Sequence, residues 1–258
     1  MTAPLFWVSR DQLVDAEVGG QVSLTGDEAH HAVAALRLRP GQVVYLSDAA
    51  GTRLTGSVSQ VVGRSQARLD VLVEEIEHQP AHKPLLTLVQ ALTQDRADEL
   101  AVASATQLGV DRIIPWRASR SVTRWEPNRA AKHQARWERL ARAEGKVARR
   151  ARLPRICPVV DSAGLTRLIG DETGNKSAHG IVLSENSTEP LADLLEAAKT
   201  ANDVLLIVGP EGSISQTELD GLERVGARSA RLGPEVLRAS LAGAAALVLA
   251  CHVLGRWA

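Results

Sequence analysis

The 258-residue chain carries 30 basic and 30 acidic residues and so has no net charge at pH 7, and an overall balance of this kind selects no particular partner. Its length allows one large domain or two modest ones, either able to bury a real core. Two cysteines, with no CxxC spacing and no histidines arranged beside them, argue against a zinc site or a disulfide framework, so Cys157 and Cys251 are expected to be small buried residues.

The first ten residues lack a basic region followed by a long apolar core, and no apolar run reaches the ~18 residues of a membrane span. A cytoplasmic location is therefore expected. From Leu5 to about Ile76 the chain alternates short β-prone runs, at 5–8, 22–24, 43–46, 54–62 and 67–73, with turns marked by Gly19-Gly20, Pro40-Gly41, Ala50-Gly51 and Gly63. Regular short strands at this spacing predict a small β-barrel or sandwich over residues 1–78. One helix interrupts it, starting near Asp27 and running through Leu36 and Leu38. His30 and His31 on it are neighbours, point to different faces and so do not form a shared metal site.

Residues 79–84, Gln-Pro-Ala-His-Lys-Pro, are polar, hold two prolines and read as an interdomain linker. From residue 85 onward strand, helix and strand alternate, which predicts an α/β domain over 85–258. Residues 85–89 form its first strand. Residues 98–108 form a helix with Leu100, Ala101, Ala105 and Leu108 facing inward and Gly109 as its stop. Residues 110–115 form the next strand.

A basic helix is predicted over 132–152, anchored by Trp137 and Leu140, with Arg136, Arg139, Arg142, Arg149, Arg150 and Arg152 projecting. Between Arg112 and Arg155 fourteen Lys and Arg face three acids, a local excess of eleven positive charges that the rest of the chain offsets. The excess is too one-sided for i,i+4 pairing to absorb, and arginine's planar fork suits bidentate phosphate contact. These arginines are candidates for RNA backbone binding.

Strands follow at 180–184 and 204–208, with a helix over 191–199 between them. The run Val204-Leu205-Leu206-Ile207-Val208 is the apolar pattern of a strand buried on both faces of a parallel sheet. Its loop, Gly209-Pro210-Glu211-Gly212-Ser213, leaves the carboxyl edge, where open α/β sheets bind ligands. Glycines there let the backbone approach a ligand or take φ > 0. Ser215-Gln216-Thr217-Glu218 fits a capping box opening a helix. A second loop of like composition, Leu232-Gly233-Pro234, is expected to meet the first and form a slot. Residues 241–257 form an Ala/Leu/Val helix, apolar nearly all round and expected to be buried in a core or a dimer interface.

Gly209-Pro210-Glu211-Gly212 and Leu232-Gly233-Pro234-x-x-Leu237-Arg238 resemble the carboxyl-terminal signature of the RsmE-type 16S ribosomal RNA uridine-N3 methyltransferases, of the SPOUT class. The resemblance extends in order through His30-His31, Leu36-Arg37, Gln90-Ala91-Leu92, residues 108–115 and Arg120-Ser121-Val122. It implies a PUA-like amino-terminal RNA-binding domain, an α/β methyltransferase domain with a trefoil knot, a homodimer formed through the carboxyl-terminal domain, and no metal. It implies S-adenosylmethionine as cofactor, held by Leu183, Ser184 and Glu185, by Val208, Gly209, Pro210, Glu211 and Gly212, and by Leu232, Gly233, Pro234, Val236 and Leu237. Arg238 and Arg120 carry over as catalytic candidates, although the residues alone leave open a structural ion pair of each with Glu211 or Glu235. Arg37 and Arg39 carry over as RNA contacts.

The chain departs from the family pattern at Gln94-Asp95, Ser104, Gln107, Gly145-Lys146-Val147 and Ala239-Ser240, and has Leu5 where an arginine is usual. Those departures admit two other readings, a non-catalytic RNA-binding relative and an enzyme acting on a ribose 2′-oxygen or on transfer RNA.

Overall fold

The computed structural model describes residues 3–63, 67–94, 96–174 and 178–257. By contacts the chain divides into Met1–Ala81 with Ala143–Leu153, and His82–Arg142 with Pro154–Ala258.

The first unit is a five-stranded sheet ordered β1-β3-β4-β5-β2, with β1 at Leu5–Trp7, β2 at Gln21–Leu24, β3 at Val43–Ser47, β4 at Thr52–Val62 and β5 at Arg68–His78. Alternate residues of these strands, among them Phe6, Leu24, Val44, Leu46, Leu54, Val58, Leu69 and Val71, enter one buried cluster, as half-buried strands require. Register shifts at Thr55/Gly56 and Val58/Gln60 bend the long β4–β5 ribbon. A Cβ on Gly56 would lie 2.3 Å from the Leu72 carbonyl oxygen, so the bend admits only glycine. β5 continues past the predicted end at Val73 because Glu75, Ile76, Glu77 and His78 find ladder partners on β4.

A short helix α1, Asp11–Val14, precedes β2, and α2, Gly26–His30, follows it and passes into a π-helical turn, His31–Ala35. The helix predicted to run through Leu38 stops there. Arg37 takes φ 53°, which turns the chain so that Leu38 is buried while Leu36 stays exposed. Segment Ala143–Leu153 belongs to this unit: Lys146 Nζ lies 2.6 Å from Glu28 Oε1, Gly51 N–H donates to the Ala151 carbonyl at 2.9 Å, and Leu153 N–H to that of Ala49 at 3.0 Å. At Gly145 a Cβ would sit 2.4 Å from Leu153 Cδ2 and 3.1 Å from Trp7 Cζ2. This departure from the family pattern thus has a packing cause.

In the second unit β6 (Leu85–Ala91), β7 (Arg112–Arg117), β8 (Arg155–Ile156), β9 (Val160–Asp161), β10 (Ala178–Leu183), β11 (Asp203–Val208) and β12 (Arg228–Ala230) form a seven-stranded sheet ordered β12-β10-β11-β6-β7-β8, with β9 also on β7. Its pairings are parallel. Helices α3 (Ala97–Gln107), α4 (Pro127–Val147, as far as Arg142), α5 (Ser162–Gly174), α6 (Leu191–Ala197), α7 (Gln216–Arg224) and α8 (Ala239–Val253) connect and cover it.

β11 shows why the predicted run works. Val204, Leu206 and Val208 join the cluster beneath α3, α4, α6 and α8, and Leu205 and Ile207 join the cluster beneath α5 and α7. Each fully buried aliphatic side chain contributes roughly 1.5–3 kcal/mol, so burial on both faces makes this strand the centre of the sheet.

Three predicted helices differ. α4 starts and ends five residues earlier than expected, and Arg149, at φ 51°, lies in the turn beyond it with Arg150 and Arg152. On α3 the inward set is Ala101, Val102 and Ala105, while Leu100 is 58% exposed. Ala101 and Ala105 are buried as expected and Leu108 packs on the same cluster, so only Leu100 leaves the predicted face, with Val102 inward instead. α8 is not buried all round: Leu241, 53% exposed, and Val248, 43% exposed, lie seven residues apart on one stripe.

Two buried ion-pair systems tie strand ends together. Arg112 Nη2 lies 2.5 Å from Asp203 Oδ2, and Thr87 Oγ1 donates to Asp203 Oδ1 at 2.9 Å. Arg256 pairs with Asp111 and also donates to the carbonyls of Pro84 at 2.6 Å and Gly109 at 3.1 Å. No helix of the described residues is long and apolar enough to cross a membrane.

Candidate functional site

The loops that leave the carboxyl ends of β6, β7, β10 and β11 converge on one edge of the sheet, together with the segment entering α8. They enclose a cavity of about 730 Å³, within the range of small-molecule sites. The chain builds β6, β7 and β8 outward in one direction, then crosses to β10, places β11 between β10 and β6 and adds β12 outside β10, so the cavity opens where the strand order reverses.

The β11 loop is shaped by its own packing. A Cβ on Gly209 would come within 2.6 Å of Ile214 Cγ1, and one on Gly212 within 3.3 Å of Arg120 Cβ and 3.4 Å of its carbonyl oxygen. Neither glycine takes a positive φ, which falls on Ser213 at 60°. Glycine at 212 therefore serves a close approach to the β7 loop, and Arg120 Nη1 donates to the Gly212 carbonyl at 3.2 Å. The predicted capping box is present: Ser215 Oγ accepts from Glu218 N–H, and Glu218 accepts from Ser215 N–H.

The Glu218 carboxylate also holds groups that sequence spacing gave no hint of. Its Oε1 accepts from Ser119 N–H at 2.7 Å and from the Ser162 hydroxyl. Its Oε2 accepts from Ser119 Oγ at 2.6 Å and Ser215 Oγ at 2.6 Å. Burial alone would push this carboxyl up, but the bonds from the Ser119, Ser162 and Ser215 hydroxyls and the Ser119 amide outweigh it and hold it down at about 2.

Asp98, buried in the first turn of α3, goes the other way. Burial pushes its carboxyl up to about 6, against the pull of the Glu99 and Thr93 amides, and the charges of Glu99 and Glu211 push it further. A raised carboxyl pKa means that ionisation works against the fold: stability falls as pH rises from about 4 to about 6 and is level above that. Asp98→Asn is therefore expected to gain up to about 3 kcal/mol at pH 7, from roughly 1.4 kcal/mol per unit, with no gain below pH 4. Denaturant melts across this range check it, and a gain independent of pH would contradict it.

Of the expected ligand residues, Leu183, Ser184, Glu185, Val208, Gly209, Pro210, Glu211, Gly212, Val236 and Leu237 line the cavity, together with Arg120 and Arg238. Leu232, Gly233 and Pro234 do not. Leu232 packs against the core beneath α8, and the Gly233 carbonyl accepts from Arg231 Nε at 2.8 Å. The lining also includes Gln94, Ala97, Val122, Ser213, Ser240 and Ala242, which sequence reasoning did not select. Two of these, Gln94 and Ser240, were visible only as departures from the family pattern. Asp95 lies outside the described residues.

Neither Arg120 nor Arg238 forms a salt bridge with Glu211 or Glu235 among the described residues. Both are exposed at the cavity wall. The candidate RNA contacts divide. Arg37 and Arg39 are exposed. Arg136 pairs with Glu99 at 2.7 Å, Arg149 lies 5.8 Å from the Tyr45 ring centroid, Arg152 Nε donates to the Gln79 carbonyl at 2.9 Å, and Arg150 is half-buried.

A family model described as an RNA methyltransferase domain matches residues 81–251, and one described as an RNA methyltransferase PUA domain matches residues 24–72. A Mycobacterium bovis protein named ribosomal RNA small subunit methyltransferase E is 38% identical over 257 residues, covering 100% of this chain and 94% of the relative. One of the same name from Bacillus subtilis is 24% identical over 221 residues, covering 85% of each. A crystal structure of that enzyme from Neisseria gonorrhoeae, bound to S-adenosyl methionine, superposes with a TM-score of 0.80 at 22% identity, covering 97% of this chain and 98% of the other. The fold expected from the resemblance, a PUA-like domain followed by a parallel α/β methyltransferase domain, is the one found.

Proposed function

The chain belongs to the RNA methyltransferase family that includes ribosomal RNA small subunit methyltransferase E, and from that membership we propose that it methylates N3 of a uridine in 16S ribosomal RNA, using S-adenosylmethionine. The observation that carries the proposal is the cavity at the sheet's carboxyl edge, walled by the two loops of the family signature and by two arginines outside any salt bridge with Glu211 or Glu235.

The residues present fit the cofactor. The volume suffices, Val182, Val208, Leu237 and Ala242 offer an apolar wall for a purine, and residues 184–186 and 209–212 offer main-chain polar groups. Leu232, Gly233 and Pro234 carry the last loop to the rim. S-adenosylmethionine supplies an electrophilic sulfonium methyl when bound, which leaves the protein the tasks of orientation and electrostatics. The N3 of uracil must lose a proton, and the charge that develops spreads to the flanking carbonyl oxygens. Arg238 and Arg120, both lining the cavity, are the cations we assign to stabilise it.

In this reading residues 1–78 bind RNA through Arg37 and Arg39, residues 79–84 are the linker, and residues 85–258 carry the reaction, knotted as in the SPOUT class. Arg136, Arg149, Arg150 and Arg152 are further RNA contacts in this reading. The exposed Leu241 and Val248 stripe of α8 is the surface through which two copies pair. The protein acts in the cytoplasm.

Mass spectrometry of small-subunit RNA nucleosides from a strain lacking the gene is the test. Disappearance of 3-methyluridine is expected; its persistence, or loss of a ribose-methylated or transfer RNA nucleoside instead, would overturn the assignment. Gly212→Val should displace the Arg120 backbone and weaken S-adenosylmethionine about tenfold or more in calorimetry, a cost of at least ~1.4 kcal/mol. An unaltered Kd would remove that loop from the site. Arg37→Glu with Arg39→Glu should reduce the slope of log K against log salt for RNA by roughly 1.5; an unchanged slope would take both residues off the phosphate backbone.

A further inference from the structure

The Ser119-Arg120 segment follows β7 as a turn closed by Ser121 N–H on the Ala118 carbonyl at 3.1 Å, and it presents one of the two cavity arginines. Beyond that turn, the Ser119 amide and hydroxyl anchor on one carboxylate. Glu218 receives both the amide and the hydroxyl of Ser119, at 2.7 and 2.6 Å. The same carboxylate caps α7 through Ser215, at 2.6 Å from its hydroxyl, and takes the hydroxyl of Ser162 at the start of α5. Three separate chain segments thus meet on one buried side chain. The capping box accounts for one of these segments only. The Ser119 contacts with Glu218 span 99 residues of sequence and are not part of the capping box.

The consequence reaches the cavity by two routes. Ser119 is the residue before Arg120, so fixing its amide fixes the direction in which Arg120 leaves the backbone. Arg120 in turn packs on Gly212 and donates to its carbonyl at 3.2 Å, which locks the β7 loop to the β11 loop. A carboxylate accepts hydrogen bonds only, whereas an amide presents a donor on one side. Glutamine at 218 would therefore keep the size of the side chain while turning at least one of the serine contacts from attraction to mismatch.

We propose that Glu218 is a positioning residue for the reaction: through Ser119 it sets the backbone from which Arg120 reaches the cavity. The proposal rests on the reading that Arg120 serves methyl transfer. Glu218→Gln should raise hydrogen exchange at the amides of residues 118–122, and Ser119→Ala, the milder change, should raise it less. With S-adenosylmethionine and small ribosomal subunits lacking the modification, Glu218→Gln should lower kcat by about ten- to a hundredfold, the order that a misplacement of roughly 1 Å brings, with little change in the Kd of the cofactor. In an Arg120→Ala background the same substitution should have almost no further effect on kcat.

Unchanged exchange in both variants would show that Glu218 does not hold the loop. A kcat loss that persists in full in the Arg120→Ala background would show that it does not act through Arg120. A wild-type chain that transfers no methyl group would sink the reading of the reaction, and the exchange measurements would still decide the latch.

Discussion

Arg238→Ala is expected to lower kcat for methyl transfer by about 10²- to 10³-fold, the loss that follows removal of one preorganised donor at developing negative charge. The backbone of Arg238 is fixed independently of its side chain, since its carbonyl accepts the Leu241 and Ala242 amides at 2.9 Å each as α8 begins. Truncation should therefore leave the fold and the cofactor's Kd in place. Single-turnover kinetics on small subunits separate the chemical step from RNA binding. A kcat unchanged by the substitution would remove Arg238 from the reaction, and a loss confined to KM would make it an RNA contact.

Arg256→Ala is expected to destabilise the second unit by about 3–5 kcal/mol, the usual cost of leaving one member of a buried pair uncompensated. The Arg256 side chain is 5% exposed and Asp111 12%, and Asp111 Oδ2 also accepts Leu86 N–H at 2.8 Å. Removal of the guanidinium leaves the Asp111 carboxylate with the Leu86 amide but no counter-charge, and takes the Arg256 donor from the carbonyls of Pro84 and Gly109. Denaturant unfolding measures the loss. Adding Asp111→Asn should restore much of it, because no buried charge then remains; a double variant no better than the single would place the cost in packing.

Much of the second unit was legible because its strands need only composition to declare themselves. Five aliphatic residues in a row at 204–208 admit few outcomes other than a strand covered on both faces, and the loop after it had to reach the ligand edge. The Ser215–Glu218 capping box is equally local, and it is present as spaced. What escaped was long-range. Nothing near Ser119 or Ser162 in sequence announces a shared acceptor at Glu218, and nothing near Asp111 announces Arg256.

Phase and termination were the other failures. Leu100 and Val102 are both apolar and both fit a helix, so composition could not choose which faces the core. The expected helix runs on to Arg152, whereas a left-handed Arg149 ends it at Val147, with Arg150 N–H on the Gly145 carbonyl at 2.9 Å, a closure that no glycine or asparagine announces. Leu232, Gly233 and Pro234 carry the family motif without lining the cavity, since motif matching registers a loop and not which of its atoms point inward.

The return of Ala143–Leu153 to the unit formed by Met1–Ala81 means that the polypeptide passes between the two units three times, after Ala81, Arg142 and Leu153. Neither half can be excised with one cut. A fragment ending at Ala81 would strand the Gly51 amide and the Ala49 carbonyl, whose partners lie in the absent segment, so grafting this amino-terminal module onto another enzyme requires carrying Ala143–Leu153 with it or supplying that segment in trans.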